Sequence, residues 1–275
     1  VSTTKNGALL TQAHRTTQAK RGQSIAVLAL GLWLKTVKPN DLEATTTIWM
    51  RKLIQAIFDG RDRSAQSTRI YYTAFRKLEV PEAPRFTIPA TPELLVEQVE
   101  TSLRVTGPIA YQRRVSRIKE LDDLDPRVEK ALMDDAFRAS AKTSSAAAVR
   151  LVLDGGRHTM REAAVNDHLA LGWARVTQAN PCYFCAMLAS RGFDYGKHAF
   201  DDSNRLFDGA GKAKVHDSCQ CTMEPSFSNK SELPEHSAQW ESLWADVTGD
   251  VFGVEKARKF RAAYEGRDYK TRSKR

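Results

Sequence analysis

Asn180-Pro181-Cys182-Tyr183-Phe184-Cys185, answered downstream by His216-Asp217-Ser218-Cys219-Gln220-Cys221, holds every cysteine of the chain. A lone cysteine pair says little. A C-x-x-C knuckle followed by H-x-x-C-x-C is a metal-ligand pattern, because thiolate sulfur and imidazole nitrogen are the donors tetrahedral zinc prefers. The five candidate ligands are Cys182, Cys185, His216, Cys219 and Cys221. Cys182 and Cys185 are expected to pair with His216 and with one or both of Cys219 and Cys221. C-x-C is tighter and less often bidentate, so if His216 stands behind the ligands, the four cysteines make up the site. Four closed ligands leave no open position for an activated water, so the expected ion is a structural Zn2+. A catalytic metal and a metal-free site are the alternatives.

The flanks place this pattern in a small α+β module. Asn180-Pro181 reads as a helix start, with Asn as cap and Pro first, which puts both knuckle cysteines in the opening turn, where thiolates are favoured. Arg191-Gly192 reads as its end, with Gly in a left-handed cap. Residues 193–215 are rich in Gly, Asp, Lys and Asn and read as a long loop with a short hairpin. Thr222-Met223-Glu224-Pro225 reads as a short extended exit, and 233–264 as one or two further helices.

Upstream the chain reads as helix. Apolar residues recur at helical spacing over 8–34. The run Ser24 to Leu34 follows Lys20-Arg21 like the core of a secretory signal, yet it is too short to span a bilayer and has no cleavage site, so a buried helix is expected. A second helix is predicted from Asp41 through Ile48, Trp49, Leu53, Ile54 and Ile57, ended by Asp59-Gly60. A third carries Ile70, Tyr71, Ala74, Phe75 and Leu78, and its aromatic stripe reads as core. Pro81, Pro84, Pro89 and Pro92 make 81–92 an extended linker. A helix is predicted from Thr91-Pro92, with Leu94, Leu95, Val99 and Leu103 buried and Gly107-Pro108 interrupting. Two or more helices follow to about 154, one starting at Asp125-Pro126. Gly155-Gly156 is then expected to break the chain ahead of a helix over Thr159 to Val176. The fold class is therefore mainly α, a multi-helix body with a Cys/His metal-pinned α+β module near the C-terminus. The divisions expected are 1–80, the linker 81–92, a central helical region 93–180, the module 181–228 and a basic end 229–275.

The 275 residues carry 42 Lys and Arg against 33 Asp and Glu, a net charge of +9. The excess gathers at the end, where Lys256, Arg258, Lys259, Arg261, Lys270, Arg272, Lys274 and Arg275 are the candidate contacts to packed DNA or an acidic protein surface. Binding to nucleic acid would be non-specific and salt-sensitive. A solvated helix end and frayed tail is the alternative. Clustered rather than scattered cysteines point to reduced thiols on a metal and to folding inside a cell.

Rival chemistries fit less of the sequence. Pro-Cys-x-x-Cys at a helix start resembles the reactive turn of a thiol exchanger, but that leaves H-x-x-C-x-C unexplained, and the residues before Cys182 read as helix rather than strand. A metal-finger nuclease would use His216 with Asp217 and a second histidine such as His198 or His236, neither in a recognisable motif. His14, His158, His168 and His198 are weak signals; Asp167-His168 has the spacing of a base and its orienter, although core or surface histidines are commoner. No G-x-S-x-G, H-E-x-x-H or phosphate-binding glycine loop is present.

Leu171-Gly172-Trp173-Ala174-Arg175-Val176, then Asn180 to Gly192, then His216 to Pro225 resembles the Mu F-like minor head proteins of tailed bacteriophages, in the form met in phages of actinobacteria. The resemblance covers residues 155–228. It implies a head morphogenesis protein in the virion, made in the bacterial host cytoplasm and sited inside the capsid near the portal in low copy number. Its implied partners are the portal or major capsid protein and, non-specifically, packaged DNA. Relatives are sometimes labelled capsid maturation proteases, and some carry C-terminal toxin domains. Only about 45 residues follow the module here, too few to lead one to expect a fused toxin domain, and no catalytic constellation stands behind the protease label. A non-enzymatic minor head protein is the expected function. A maturation protease or nuclease, and a stand-alone DNA-binding module, are the alternatives.

Overall fold

The computed structural model describes residues 3–178, 180–190, 192, 195–196, 217–228, 235–251 and 253–266. Helix α1 (Lys5–Thr36) is capped by the Thr4 hydroxyl, which accepts from the Gly7 N–H. A 3-10 turn (Pro39–Asp41) leads into α2 (Leu42–Glu79). Then come α3 (Val96–Thr106), α4 (Pro108–Lys119) and α5 (Pro126–Asn166). The Asp125 carboxylate caps α5 by accepting from the Arg127 N–H.

Helices α1, α2 and α5 pack on one another, burying Ile25, Ala29, Trp33, Trp49, Leu53, Ile57, Val149 and Val152. The stretch Ser24 to Leu34 is part of α1, with Ile25, Ala29 and Trp33 inside and Val27, Leu28 and Leu34 outside. No helix among the described residues is long and apolar enough to cross a membrane.

Two expected breaks are absent. Asp59-Gly60 lies within α2, and Gly155-Gly156 lies within α5. All three glycines instead serve close approach. A Cβ on Gly155 would sit 2.3 Å from the Arg61 carbonyl oxygen, and one on Gly156 would sit 2.7 Å from the Thr68 hydroxyl. A Cβ on Gly60 would meet Val152 at 3.0 Å. Long helices that cross tightly need such positions, and packing outweighs the propensity cost of about 1 kcal/mol per glycine. A polar seam runs through the crossing. Gln18 Nε2 donates to the Ser64 carbonyl at 3.1 Å, the Ser64 hydroxyl donates to Gln18 Oε1 at 2.8 Å, and the Gly156 N–H donates to Ser64 Oγ at 3.1 Å.

The proline-rich segment is extended, with its carbonyls met by arginines of α2. Arg69 donates to the carbonyls of Ile88 (3.0 Å) and Pro89 (2.7 Å), Arg76 to that of Pro84 (2.7 Å) and Arg61 to that of Pro92 (3.1 Å). Chain without internal hydrogen bonds needs outside donors when it packs on a body. Helix α3 starts at Val96 rather than at Thr91-Pro92, because Leu95 is still extended at φ −75° and ψ 143°. Val99 and Leu103 are buried, whereas Leu95 is exposed.

The predicted helix over Thr159 to Val176 is two elements. Helix α5 stops at Asn166. Buried Asp167 then accepts from Arg76 Nε at 2.6 Å, from the Tyr72 hydroxyl at 3.1 Å and from the Leu169 N–H at 3.1 Å. Strand β1 (Gly172–Val176) follows, and it is flanked by β2 (Tyr195–Gly196) and β3 (Thr222–Ser226), both antiparallel to it. Trp173 pairs with Pro225 and Arg175 with Met223. Helix α6 (Tyr183–Ala189) lies between β1 and β2, and α7 (Glu235–Thr248) and α8 (Val254–Tyr264) pack on it. A second core joins this module to the bundle end through Tyr72, Phe75, Met160, Trp173, Leu188, Met223 and Phe260.

Candidate metal centre

Cysteine chemistry is concentrated where α6 meets the approach to β3. Cys182 is the N-cap of α6, and its Sγ accepts from the Cys185 N–H at 3.4 Å. The helix therefore opens at Tyr183, one residue after the knuckle begins, rather than on Asn180-Pro181. Gly192 takes φ 53°, and its N–H donates to the Ala189 carbonyl at 3.1 Å, so it closes the helix as its sequence position predicts. The tight turn that brings in the second knuckle passes through Ser218 at φ 64°, and the Ser218 N–H donates to the Ala146 carbonyl of α5 at 3.0 Å.

Cys185, Cys219 and Cys221 are buried at 3%, 2% and 6% exposure, and their sulfurs all lie within 4.8 Å of one another. The Cys185 and Cys219 sulfurs are 3.6 Å apart. That is far beyond a disulfide bond of about 2.05 Å. It matches the edge of about 3.8 Å that follows from four sulfurs held tetrahedrally at about 2.3 Å from one zinc. The donor set therefore fits a thiophilic ion. Cys182 is exposed and touches Cys185 without joining the group of three. His216 lies outside the described residues, as does His198.

The thiols share their protons unevenly. Hydrogen bonding to Cys182, Cys219 and Cys221, with burial, pushes the Cys185 thiol far up. Bonds from Cys185 and Cys221 and the charges of Arg157 and Arg175 hold Cys219 well below the ordinary thiol range, against the effect of burial. Cys221 is pushed up to about 12: the bond to Cys185 acts downward, and the bond to Cys219, burial and the Cys219 charge outweigh it. Thiols bind a soft cation as thiolates, so an ion held by this cluster would displace its protons.

Arginine 157 is the residue that the sequence did not reveal. It is 4% exposed on α5, and it donates to the Cys219 carbonyl at 2.6 Å, the Cys221 carbonyl at 3.3 Å and the Asp154 carboxylate at 2.8 Å. Burial opposes its charge, but Cys219, Asp154 and Cys221 together raise its pKa. Nothing in a helix interior some sixty residues from the second knuckle signals such a role. Arg175 on β1, at 2% exposure, adds a second positive charge near the sulfurs.

The other candidates are placed differently. Asp217, the nuclease-type partner of His216, forms an ion pair with Arg150 at 2.7 Å. Asp167 is engaged by Arg76 and Tyr72, while His168 is exposed, so the two do not make a base and its orienter. His14 stacks on Tyr71 with ring centroids 4.3 Å apart, and His158 Nδ1 lies 3.1 Å from Arg61. The residues before Cys182 include a strand, so the helix argument against a thiol exchanger does not hold. What stands against it is the packing of Cys219 and Cys221 onto Cys185. On α8, Arg258 pairs with Glu255, Lys259 with Asp250 and Arg261 with Glu265, and Arg261 also lies over the Tyr183 ring at 4.4 Å. Lys256 is half-buried. Lys270, Arg272, Lys274 and Arg275 lie outside the described residues.

No curated protein and no solved structure is significantly similar to the chain. The family model described as VG15 protein matches residues 9–247, from α1 through the cysteine cluster into the last turn of α7. On that match across most of its length, the chain belongs to the VG15 protein family, a viral protein family.

Proposed function

We propose that the chain is a minor head protein of a tailed bacteriophage, sited inside the head near the portal, where it aids assembly, DNA packaging or DNA ejection. The Mu F-like resemblance of residues 155–228 supports this finer reading, and membership of a viral family agrees with it. In this reading the portal or major capsid protein is the partner and the cysteine centre is a structural zinc site. Cys185, Cys219 and Cys221 supply three ligands, and Cys182 or His216 supplies the fourth.

The observation that carries the structural role is the enclosure of the centre. Cys185, Cys219 and Cys221 are nearly fully buried, so their sulfurs face one another rather than solvent. Completed by a fourth protein ligand, such a thiolate site holds chain segments together and leaves no open coordination position for substrate. It joins α6 and the β3 approach, with Arg157 tying both to the long helix α5.

Quantitative mass spectrometry of purified mature particles and of precursor heads tests the reading. An intact chain at a small fixed copy number in mature heads is the expected result. Presence in precursors with loss from mature heads would overturn it and favour a maturation protease or scaffold.

A further inference from the structure

Arg258, Lys259 and Arg261 of α8 have acidic partners, but a second group of cations does not. Helices α1 and α2 border a cavity of about 460 Å³, lined by Lys20, Arg21, Ser24, Asp59 and Arg63 over a floor of Ile25, Ala56 and Val152. None of Lys20, Arg21 and Arg63 has an ion pair or a side-chain hydrogen bond among the described residues. The Arg21 Nε atom is buried and has no hydrogen-bond partner. Burial and the neighbouring Arg63 charge hold the Arg21 guanidinium below its usual range. Asp59 lies one turn before Arg63, the spacing at which a helix ion pair forms. Its Oδ1 instead accepts from Gln55 Nε2 at 3.0 Å.

Two guanidinium groups set beside each other without a counterion, one with a buried free donor, leave an electrostatic deficit that a bound anion removes. Guanidinium forks match the geometry of phosphate oxygens, and an apolar floor strengthens the attraction by lowering the local dielectric. We propose that this cavity is a phosphate site, with Arg21 and Arg63 as the paired donors and Lys20 at the rim. It takes the phosphodiester backbone of nucleic acid or a free polyphosphate. The site rests on the α1–α2 cations alone, so it does not depend on the placement of the protein in the head.

The test uses the full chain as wild type, as Arg21→Gln/Arg63→Gln, as Arg63→Gln alone, and as the charge-matched control Arg51→Gln/Lys52→Gln at exposed positions of α2. One arm follows the melting temperature against added pyrophosphate. The other follows binding of a fluorescent DNA duplex of arbitrary sequence across a salt series. Loss of both pyrophosphate stabilisation and duplex affinity in the double variant, but not in the control, is expected. The affinity loss is roughly tenfold, with the salt slope reduced by about 2. A response in the duplex arm alone assigns the phosphodiester source, and one in the pyrophosphate arm alone assigns a free polyphosphate. Arg63→Gln alone moves in the same direction from an exposed position. If the double variant matches the control in both arms, or melts below wild type without ligand, the site is overturned.

Discussion

Arg157 shows how one side chain secures the centre. Its guanidinium satisfies two carbonyls of the second knuckle and the Asp154 carboxylate, all in buried surroundings. Arg157→Met keeps the length and removes the charge, so it strands the two carbonyls and leaves Asp154 with only Arg150 at 3.6 Å. A loss of roughly 3–5 kcal/mol in unfolding free energy is expected, read as a lower denaturant midpoint; an unchanged midpoint would show that the clamp is dispensable. The fourth ligand is decided in the same way. If Cys182 completes the site, Cys182→Ser weakens metal retention against a competing chelator and His216→Ala does not; the reverse outcome assigns His216. The convergence of Cys185, Cys219 and Cys221 was readable because ligand identity and local spacing are written in sequence. Arg157 was not, because a residue that acts through packing carries no local pattern.

Glycine decided what was legible at the level of the elements. Gly155-Gly156 and Asp59-Gly60 read as breaks, because sequence shows glycine's propensity and not the neighbour that needs its missing Cβ. Gly155→Ala forces a methyl onto the Arg61 backbone and is expected to cost more than about 2 kcal/mol. Gly31 is also inside a helix but has open space around it, and Gly31→Ala is expected to be neutral or to stabilise by up to about 1 kcal/mol. Thermal denaturation of the two variants separates packing from propensity, and equal shifts would contradict the close-approach account. The strand at Gly172–Val176 was read as helix because its residues are buried throughout and show no alternation.

The same bundle predicts a pH dependence. Burial, with the Arg21 charge, lowers His14 to about 3. Burial, with nearby arginines and against Asp154, lowers His158 to about 4. Both are therefore neutral in the fold and bind protons more readily when it opens. Their contribution is whole above pH 6.5, the ordinary histidine value, and is lost as pH falls from there towards 4 and 3. Replacing His14 with Gln should flatten the decline between pH 6.5 and 4 in a stability series, where the wild-type loss is on the order of 3 kcal/mol per histidine. A decline of unchanged steepness would show that His14 does not drive it.

Across the whole molecule, the cysteine module is continuous with the bundle. Tyr72 and Phe75 of α2, Met160 of α5 and Phe260 of α8 share one core with Trp173 and Met223 of the small sheet. The helical body and the knuckles were legible from periodicity and ligand pattern; this shared core was not, since it joins residues far apart in the chain. The central proposal is that a thiolate-bound zinc ion joins α6 to the approach of β3, with Arg157 tying both to that body. It is tested most directly by the metal content of the purified full chain, measured by elemental mass spectrometry beside a count of reactive thiols under native conditions. The account predicts one zinc per chain and unreactive Cys185, Cys219 and Cys221, with zinc lost in Cys219→Ser. A metal-free, folded chain whose four thiols all react would contradict it.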